Sequence, residues 1–200
     1  MPLVLASASP RRTRLLQDAG IPHVVAPAAV DESVRPRETP AEHVRRLAEA
    51  KASAAAAQHP DALVLAADTV VVRDGTILGK PCDPAEARAM LRSLAGRSHE
   101  VHTGVAIAGE GRLLSAVELA EVRFAPMTDA EIDWYVSTGE PFDKAGAYAV
   151  QGLASRFVEA VSGAPSTVIG LPVVTVCRLL RQFEQGRRLL EAAGPAVPVR

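Results

Sequence analysis

Three times in its first half the chain places a hydroxyl or carboxyl residue directly before a proline: Ser9-Pro10, Thr39-Pro40 and Asp83-Pro84. A capping side chain followed by proline at the first helical position marks a helix start, because the N–H that proline lacks would have no intrahelical partner there. Thr39-Pro40-Ala41-Glu42 has capping-box spacing, Asp83-Pro84-Ala85-Glu86 follows the same logic, and Thr128-Asp129-Ala130-Glu131 opens a further helix without proline. These starts divide the chain into helices separated by short apolar runs, which is the grammar of an α/β protein.

The runs between them read as strands. Leu3-Val4-Leu5-Ala6 precedes the first helix, which is expected to reach Gly20, and a short extended piece follows around His23–Ala26. The second helix carries Val44, Leu47, Ala48 and Lys51. Ala62–Ala66 and Thr69–Val72 are strand-like on either side of Asp68, and Asp74-Gly75 turns the chain back onto Ile77-Leu78. Gly96 closes the third helix, and the stretches 101–108 and 113–124 flank Gly109-Glu110-Gly111 as a second hairpin. After the helix at Asp129–Tyr135 come an irregular segment, 139–152, a strand at Phe157–Val161, and a last helix from Leu171-Pro172 to Phe183. Helices alternating with both hairpins and single strands predict a mixed, twisted sheet flanked by helices, with the polar loops meeting in a central cleft.

At 200 residues, with about half of them apolar, the chain has the length of one domain, expected over residues 1–185, with 186–200 as a flexible tail. Twenty-two Lys and Arg against 23 Asp and Glu exclude a global basic field for a nucleic-acid polymer or an anionic membrane, so an anion site must be local. Four Phe, one Trp and two Tyr, with no basic-aromatic stripe, argue against a nucleic-acid module as well. The apolar start at residues 3–6 is too brief for a signal segment or a membrane span. Cys82 and Cys177 have neither metal spacing nor the density of a disulfide framework, which fits a reducing cytoplasm.

Candidate chemistry concentrates in a few places. Ser7-Ala8-Ser9-Pro10-Arg11-Arg12 joins a strand to a helix, offering backbone N–H groups, hydroxyls and guanidiniums to a phosphate. The same residues also fit a plainer role, with Ser9 capping the helix and the arginines solvated. Asp68 interrupts an apolar run, and burying it without a partner would cost several kcal/mol, so a metal, a cation or solvent at a strand end is expected beside it. Glu32, next to Asp31, is a second candidate acidic ligand, although acidic loop residues are commonly just solvated. Lys51 by itself reads as a surface residue, whereas Lys80 before Pro81 and Lys144 before Ala145-Gly146 sit in constrained turns suited to a directed contact with a polyphosphate. The five histidines have no metal spacing and none stands in a nucleophile motif, which disfavours a covalent triad.

Taken in order, Leu5-Ala6-Ser7-Ala8-Ser9-Pro10-Arg11-Arg12, Ala67-Asp68-Thr69, Gly79-Lys80-Pro81, Asp143-Lys144-Ala145-Gly146-Ala147-Tyr148 and Gly170-Leu171-Pro172 closely resemble the Maf family of nucleotide pyrophosphatases, over nearly the whole chain. The resemblance implies an elongated α/β fold similar to inosine triphosphate pyrophosphatases, a homodimer, and a divalent metal, Mg²⁺ or Mn²⁺. It implies Asp68 as the catalytic acid-base residue, with Glu32 assisting the metal. Ser7, Ser9, Arg11 and Arg12 would bind phosphates, and Lys51, Lys80 and Gln151 would complete the pocket. Arg12, Thr69 and Gln151 match the branch that resembles dTTP and UTP pyrophosphatases, and Gln151 offers a uracil or thymine edge both a donor and an acceptor. The 7-methyl-GTP branch typically has a Trp before its double Arg, a Gln after Ser-Asp and a Glu in place of Gln151, none of which is present. The activity implied is house-cleaning hydrolysis of a nucleoside triphosphate to monophosphate and pyrophosphate. The rival readings are a nucleotide-binding regulator of septum formation or cell-division arrest, and a pyrophosphatase for 7-methyl-GTP or another base.

Overall fold

Each proline-led start opens a helix in the computed structural model, which describes residues 3–192. Pro10 begins α1 (Pro10–Asp18), Pro40 begins α2 (Pro40–Ala56) and Pro84 begins α3 (Pro84–Leu94). The capping boxes expected at Thr39 and Thr128 are reciprocal: each hydroxyl accepts from the amide of the Glu three residues on, whose carboxylate accepts from the threonine amide. Thr128 thereby starts α4 (Asp129–Ser137). Ser9 differs. It holds the N-cap position of α1, but its hydroxyl makes no capping hydrogen bond.

The strands are β1 (Leu3–Leu5), β2 (His23–Val25), β3 (Val64–Arg73), β4 (Thr76–Leu78), β5 (Ser98–Gly109), β6 (Arg112–Phe124) and β7 (Val158–Ser162). They form one mixed sheet in the order β2-β1-β3-β5-β6-β7, with β4 paired to β3 off that path. β1 is parallel to β2 and β3, while β4 is antiparallel to β3 and β7 to β6. The Asp74-Gly75 turn has positive φ at both positions (49° and 75°), the signature of the tight turn that matches strand twist. The two strand-like pieces expected around Asp68 are a single strand, β3, that runs straight through it.

The expected single domain divides into two compact units that interleave along the chain. Among the described residues the first comprises 3–68, 103–117 and 170–192, and its central strand segments, β1 with the adjoining parts of β3 and β5, are buried on both faces. Alternation sorts the side chains. Leu3, Leu5, Leu65, Val105 and Ile107 face one way, into a core with Leu16 of α1, with Val176, Leu179 and Leu180 of α6 (Val173–Leu180), and with Phe183. Val4, Ala6, Val64, Ala66, Ala106 and Ala108 face the other way, onto Ala48, Ala52 and Ala55 of α2. Small residues on both sides of that second interface let α2 lie close to the sheet. At Gly104 the approach is so tight that a Cβ would stand 2.3 Å from the Val44 carbonyl oxygen. One more helix, α7 (Glu184–Ala192), was not anticipated: it occupies the start of the expected tail, Leu189 and Leu190 pack against the core, and its first amides donate to the Glu110 carboxylate. The remaining residues of the expected tail, 193–200, lie outside the described residues.

The second unit, residues 69–102 and 118–169, packs Met90, Leu91 and Leu94 of α3 with Ile132, Tyr135 and Val136 of α4, and with Val122, Phe124, Tyr148 and Phe157. It also holds a short helix, α5 (Pro165–Ile169). The irregular segment 139–152 is organised by Glu140, whose carboxylate accepts from the Tyr135 hydroxyl at 2.7 Å and from the amides of Leu153 and Ala154. His99 is buried edge-on against Phe124 and Tyr148, with Nε2 2.8 Å from the Tyr148 hydroxyl and Nδ1 without a hydrogen-bond partner among the described residues. Burial, with a smaller contribution from Arg73, pushes its pKa down to about 4. Among the described residues no helix is long and apolar enough to cross a membrane.

Two predictions follow from this packing. Gly104→Ala meets helix backbone that cannot swing aside, so a loss of about 3 kcal/mol is expected in urea unfolding; an unchanged midpoint would contradict the close approach. His99 takes up a proton more readily unfolded than folded, so stability is expected to fall as pH drops through 6.5 and to level off below about 4. The contribution is roughly 3 kcal/mol, and His99→Gln should remove that part of the pH slope in melting experiments.

Candidate active site

Strand alternation aims Asp68. It lies on the same face of β3 as Val64 and Ala66, the face that α2 covers. On α2, Lys51 follows Val44 and Ala48 at helical spacing and precedes Ala52 and Ala55, so it belongs to the buried stripe. The surface placement that Lys51 suggests when read alone is therefore corrected: it is 7% exposed, and Asp68 is 8% exposed. The Lys51 Nζ donates to Asp68 Oδ1 at 2.8 Å and lies 2.5 Å from Glu32 Oε1. Asp68 thus has a cation beside it, as its burial requires, though in mid-strand rather than at a strand end. Glu32 reaches the same ammonium from an exposed loop, with 55% of its side chain accessible.

The strand-to-helix junction supplies a second cluster. Arg12 Nη1 donates to Ser7 Oγ at 2.9 Å and Nε donates to the Gly170 carbonyl at 2.8 Å, while the Ser9 amide donates to Ser7 Oγ at 3.2 Å. Two anchors therefore set the plane and direction of the Arg12 guanidinium. Its pKa is lowered by burial and, to a lesser degree, by Arg11, whereas Asp68 and Glu32 raise it. A guanidinium remains charged under these opposing influences. The field of Arg12 thus links the Ser7 cluster to the two carboxylates.

Ser7, Ser9, Arg11, Arg12, Glu32, Lys51 and Asp68 all belong to the first unit, and direct contacts join Glu32, Lys51 and Asp68 in one group and Ser7, Ser9 and Arg12 in another. Thr69, Lys80, Lys144 and Gln151 belong to the second unit. There Lys80 and Gln151 are exposed and Thr69 is half-buried. Lys144 Nζ donates to the Glu140 carbonyl at 2.7 Å and pairs with Asp143. The Gly146 amide donates to the Gly79 carbonyl at 3.0 Å, tying the segment after Lys144 to the residue before Lys80. A Cβ on Gly146 would meet the Val71 side chain at 2.8 Å, so the close approach needs glycine.

Sequence reasoning missed three participants. The Gly170 carbonyl was part of a motif but had no role, because a backbone acceptor leaves no residue-type signature. Glu38 and Arg46 belong to no motif, yet Arg46 Nη2 donates to the Ser33 carbonyl beside Glu32 at 3.0 Å and pairs with a Glu38 whose side chain is almost fully covered. No group of three or more His, Cys, Asp or Glu able to hold a metal occurs among the described residues. Glu32 and Asp68 nevertheless bring two carboxylates to one cation, and hard oxygen donors of this kind hold Mg²⁺ or Mn²⁺ when substrate phosphates supply further ligands.

Residues 2–183 match the profile of the family described as Maf-like protein. The chain belongs to the Maf family. This Maf-like chain is 52% identical over 181 residues to the dTTP/UTP pyrophosphatase of Symbiobacterium thermophilum, covering 90% of this chain and 93% of that protein. It is 49% identical to the dTTP/UTP pyrophosphatase of Halalkalibacterium halodurans, with 90% and 95% covered. In fold it resembles the Ham1 protein of Staphylococcus aureus (TM-score 0.51, 14% identity, 94% of this chain and all of that one) and a HAM1 protein from Coxiella burnetii (TM-score 0.51, 16% identity, 92% of this chain and all of that one). Those likenesses bear out the mixed sheet flanked by helices that the sequence pattern predicts.

Removing the cation from the Asp68 group is expected to be costly. Lys51→Met should lose about 3 kcal/mol in urea unfolding, and the double variant with Asp68→Asn should recover most of it. Additive losses would show that the pair is not a unit.

Proposed function

We propose that this Maf-like chain hydrolyses dTTP and UTP, or modified forms of them, to the nucleoside monophosphate and pyrophosphate, using Mg²⁺ or Mn²⁺. The observation that carries the reading is the Asp68–Lys51–Glu32 group: a buried carboxylate balanced by one ammonium, with a second carboxylate on the same cation. The names of the related dTTP/UTP pyrophosphatases support the substrate class.

Asp68 accepts a proton from water as its oxygen bonds to the α-phosphorus, and the bridging bond to the β-phosphate breaks, releasing pyrophosphate. Glu32 and Asp68 would hold the metal, which supplies charge neutralisation at the phosphate oxygens. Lys51 directs the Asp68 carboxylate through its hydrogen bond to Oδ1. Arg12, fixed by Ser7 and Gly170, presents a rigid fork to phosphate, and Ser9 and Arg11 add donors at the start of α1. Roles for Thr69, Lys80 and Lys144 in substrate binding, and for Gln151 in reading the pyrimidine edge, rest on the motif match. A cytoplasmic location, read from the two lone cysteines, and a homodimer, implied by the family resemblance, belong to the same reading.

The test is turnover of dTTP, UTP, CTP, GTP and 7-methyl-GTP with each metal, for the parent and for Asp68→Asn. Selective release of pyrophosphate from dTTP and UTP is expected, with Asp68→Asn losing at least a hundredfold in kcat while still binding dTTP. Undiminished turnover in Asp68→Asn would refute the assignment. Release from another base would refute the pyrimidine pocket, and binding without turnover by the parent would favour a nucleotide-sensing role.

A further inference from the structure

Glu32 poses a mechanical problem. It sits in a loop without regular secondary structure, between β2 and α2, and its side chain is more than half exposed. An exposed ion pair contributes about 0–1 kcal/mol, too little for the contact with Lys51 to hold the loop by itself. Something else must place this carboxylate.

The covered charges of the loop answer the problem. Arg46, on α2, directs Nε to Glu38 Oε1 at 2.5 Å and Nη2 to Glu38 Oε2 at 2.8 Å, a two-pronged grip on a carboxylate that is 8% exposed. The same Nη2 donates to the Ser33 carbonyl at 3.0 Å, the residue immediately after Glu32. Glu38 Oε2 also accepts from the Arg35 amide at 3.1 Å and lies 3.0 Å from His43 Nδ1, and Asp31 Oδ1 accepts from the Ser33 amide at 3.0 Å. One guanidinium therefore holds both ends of the 33–38 segment. Arg46 and Lys51 are five residues apart on one helix, about 7.5 Å along its axis, so α2 grips the loop twice: by its backbone through Arg46 and by the Glu32 head group through Lys51. Arg46 and its hydrogen bonds are the main reason the Glu38 carboxyl is held far below the usual carboxylate range.

We infer that Arg46, through its fork to Glu38 and its bond to the Ser33 carbonyl, is a positioning residue that holds Glu32 where it serves the metal. The inference rests on the metal role of Glu32 proposed above. Arg46 acts through the loop: its bonds to Ser33 and Glu38 fix the segment so that no ordering of Glu32 has to accompany metal binding. Positioning groups of this kind are worth about tenfold to a hundredfold in metal affinity.

The experiment is a double-mutant cycle of Arg46→Met with Glu32→Gln. It reads kcat with dTTP against Mn²⁺ concentration, and separately Mn²⁺ binding by electron paramagnetic resonance in the presence of a non-hydrolysable dTTP analogue. Arg46→Met is expected to raise the Mn²⁺ concentration at half-maximal rate, and to weaken Mn²⁺ binding, by about tenfold, and to add nothing further in the Glu32→Gln background. Arg46→Lys, which keeps the charge and loses the fork, is expected to repeat the defect, and it carries the test if Arg46→Met does not fold. Lowered melting temperature with unchanged Mn²⁺ affinity, or effects of Arg46 and Glu32 that multiply independently, would overturn the inference. A Glu32→Gln variant that matches the parent in rate and Mn²⁺ binding would instead remove the metal role of Glu32 itself, and with it the purpose assigned to the clamp.

Discussion

The contact between the Lys51 ammonium and the Asp68 carboxylate is the constraint on which the first unit depends. Each group alone would be ruinous where it stands, between helix α2 and strand β3, because an uncompensated charge at such a place costs several kcal/mol. Together they are tolerated, and the pairing fixes where the helix must lie along the strand. Ion pairs buried in this way seldom add net stability over a well-packed apolar pair. Their retention makes sense for a group that has to stay aimed.

The packing around that pair meets its geometric demand. A lysine reaching a carboxylate from a covering helix needs the helix close to the sheet, and the alanines of α2 and of the facing strands, with Gly104, provide the closeness. The opposite face of the same strands carries leucine and isoleucine against α1 and α6, which fills the larger volume there. One sheet thus has a thin side that carries charge and a thick side that carries most of the apolar burial. The Ser7–Arg12–Gly170 anchors add a rigid cation whose field acts on Asp68 and Glu32.

Much of this was legible in the chain. The helix starts at Pro10, Pro40, Pro84 and Asp129 are local events, set by caps and proline within four residues, and all appear where expected. Asp68 announced itself by breaking an apolar run. Lys51 could have been placed as well, since its spacing from Val44, Ala48 and Ala55 puts it on the buried stripe; reading it alone as a long charged side chain hid that. Helix α7 was missed because its arginines mask Leu189 and Leu190, and its N-terminal cap comes from Glu110, some seventy residues earlier. The fork between Glu38 and Arg46 has no sequence signature, for neither residue type nor spacing distinguishes it from solvated charge.

The sequence by itself therefore determined the capped helix starts, the mixed α/β class, and the residue types available for phosphate and metal chemistry, because these follow from caps, periodicity and short motifs acting over a few residues. Tertiary structure decided which charges become partners: Lys51 with Asp68 and Glu32, Arg12 with the Gly170 carbonyl, Arg46 with Glu38 and Ser33. The reason is physical. A charge in water is nearly indifferent to its neighbours, and only burial, which arises when distant segments pack, makes its partner matter.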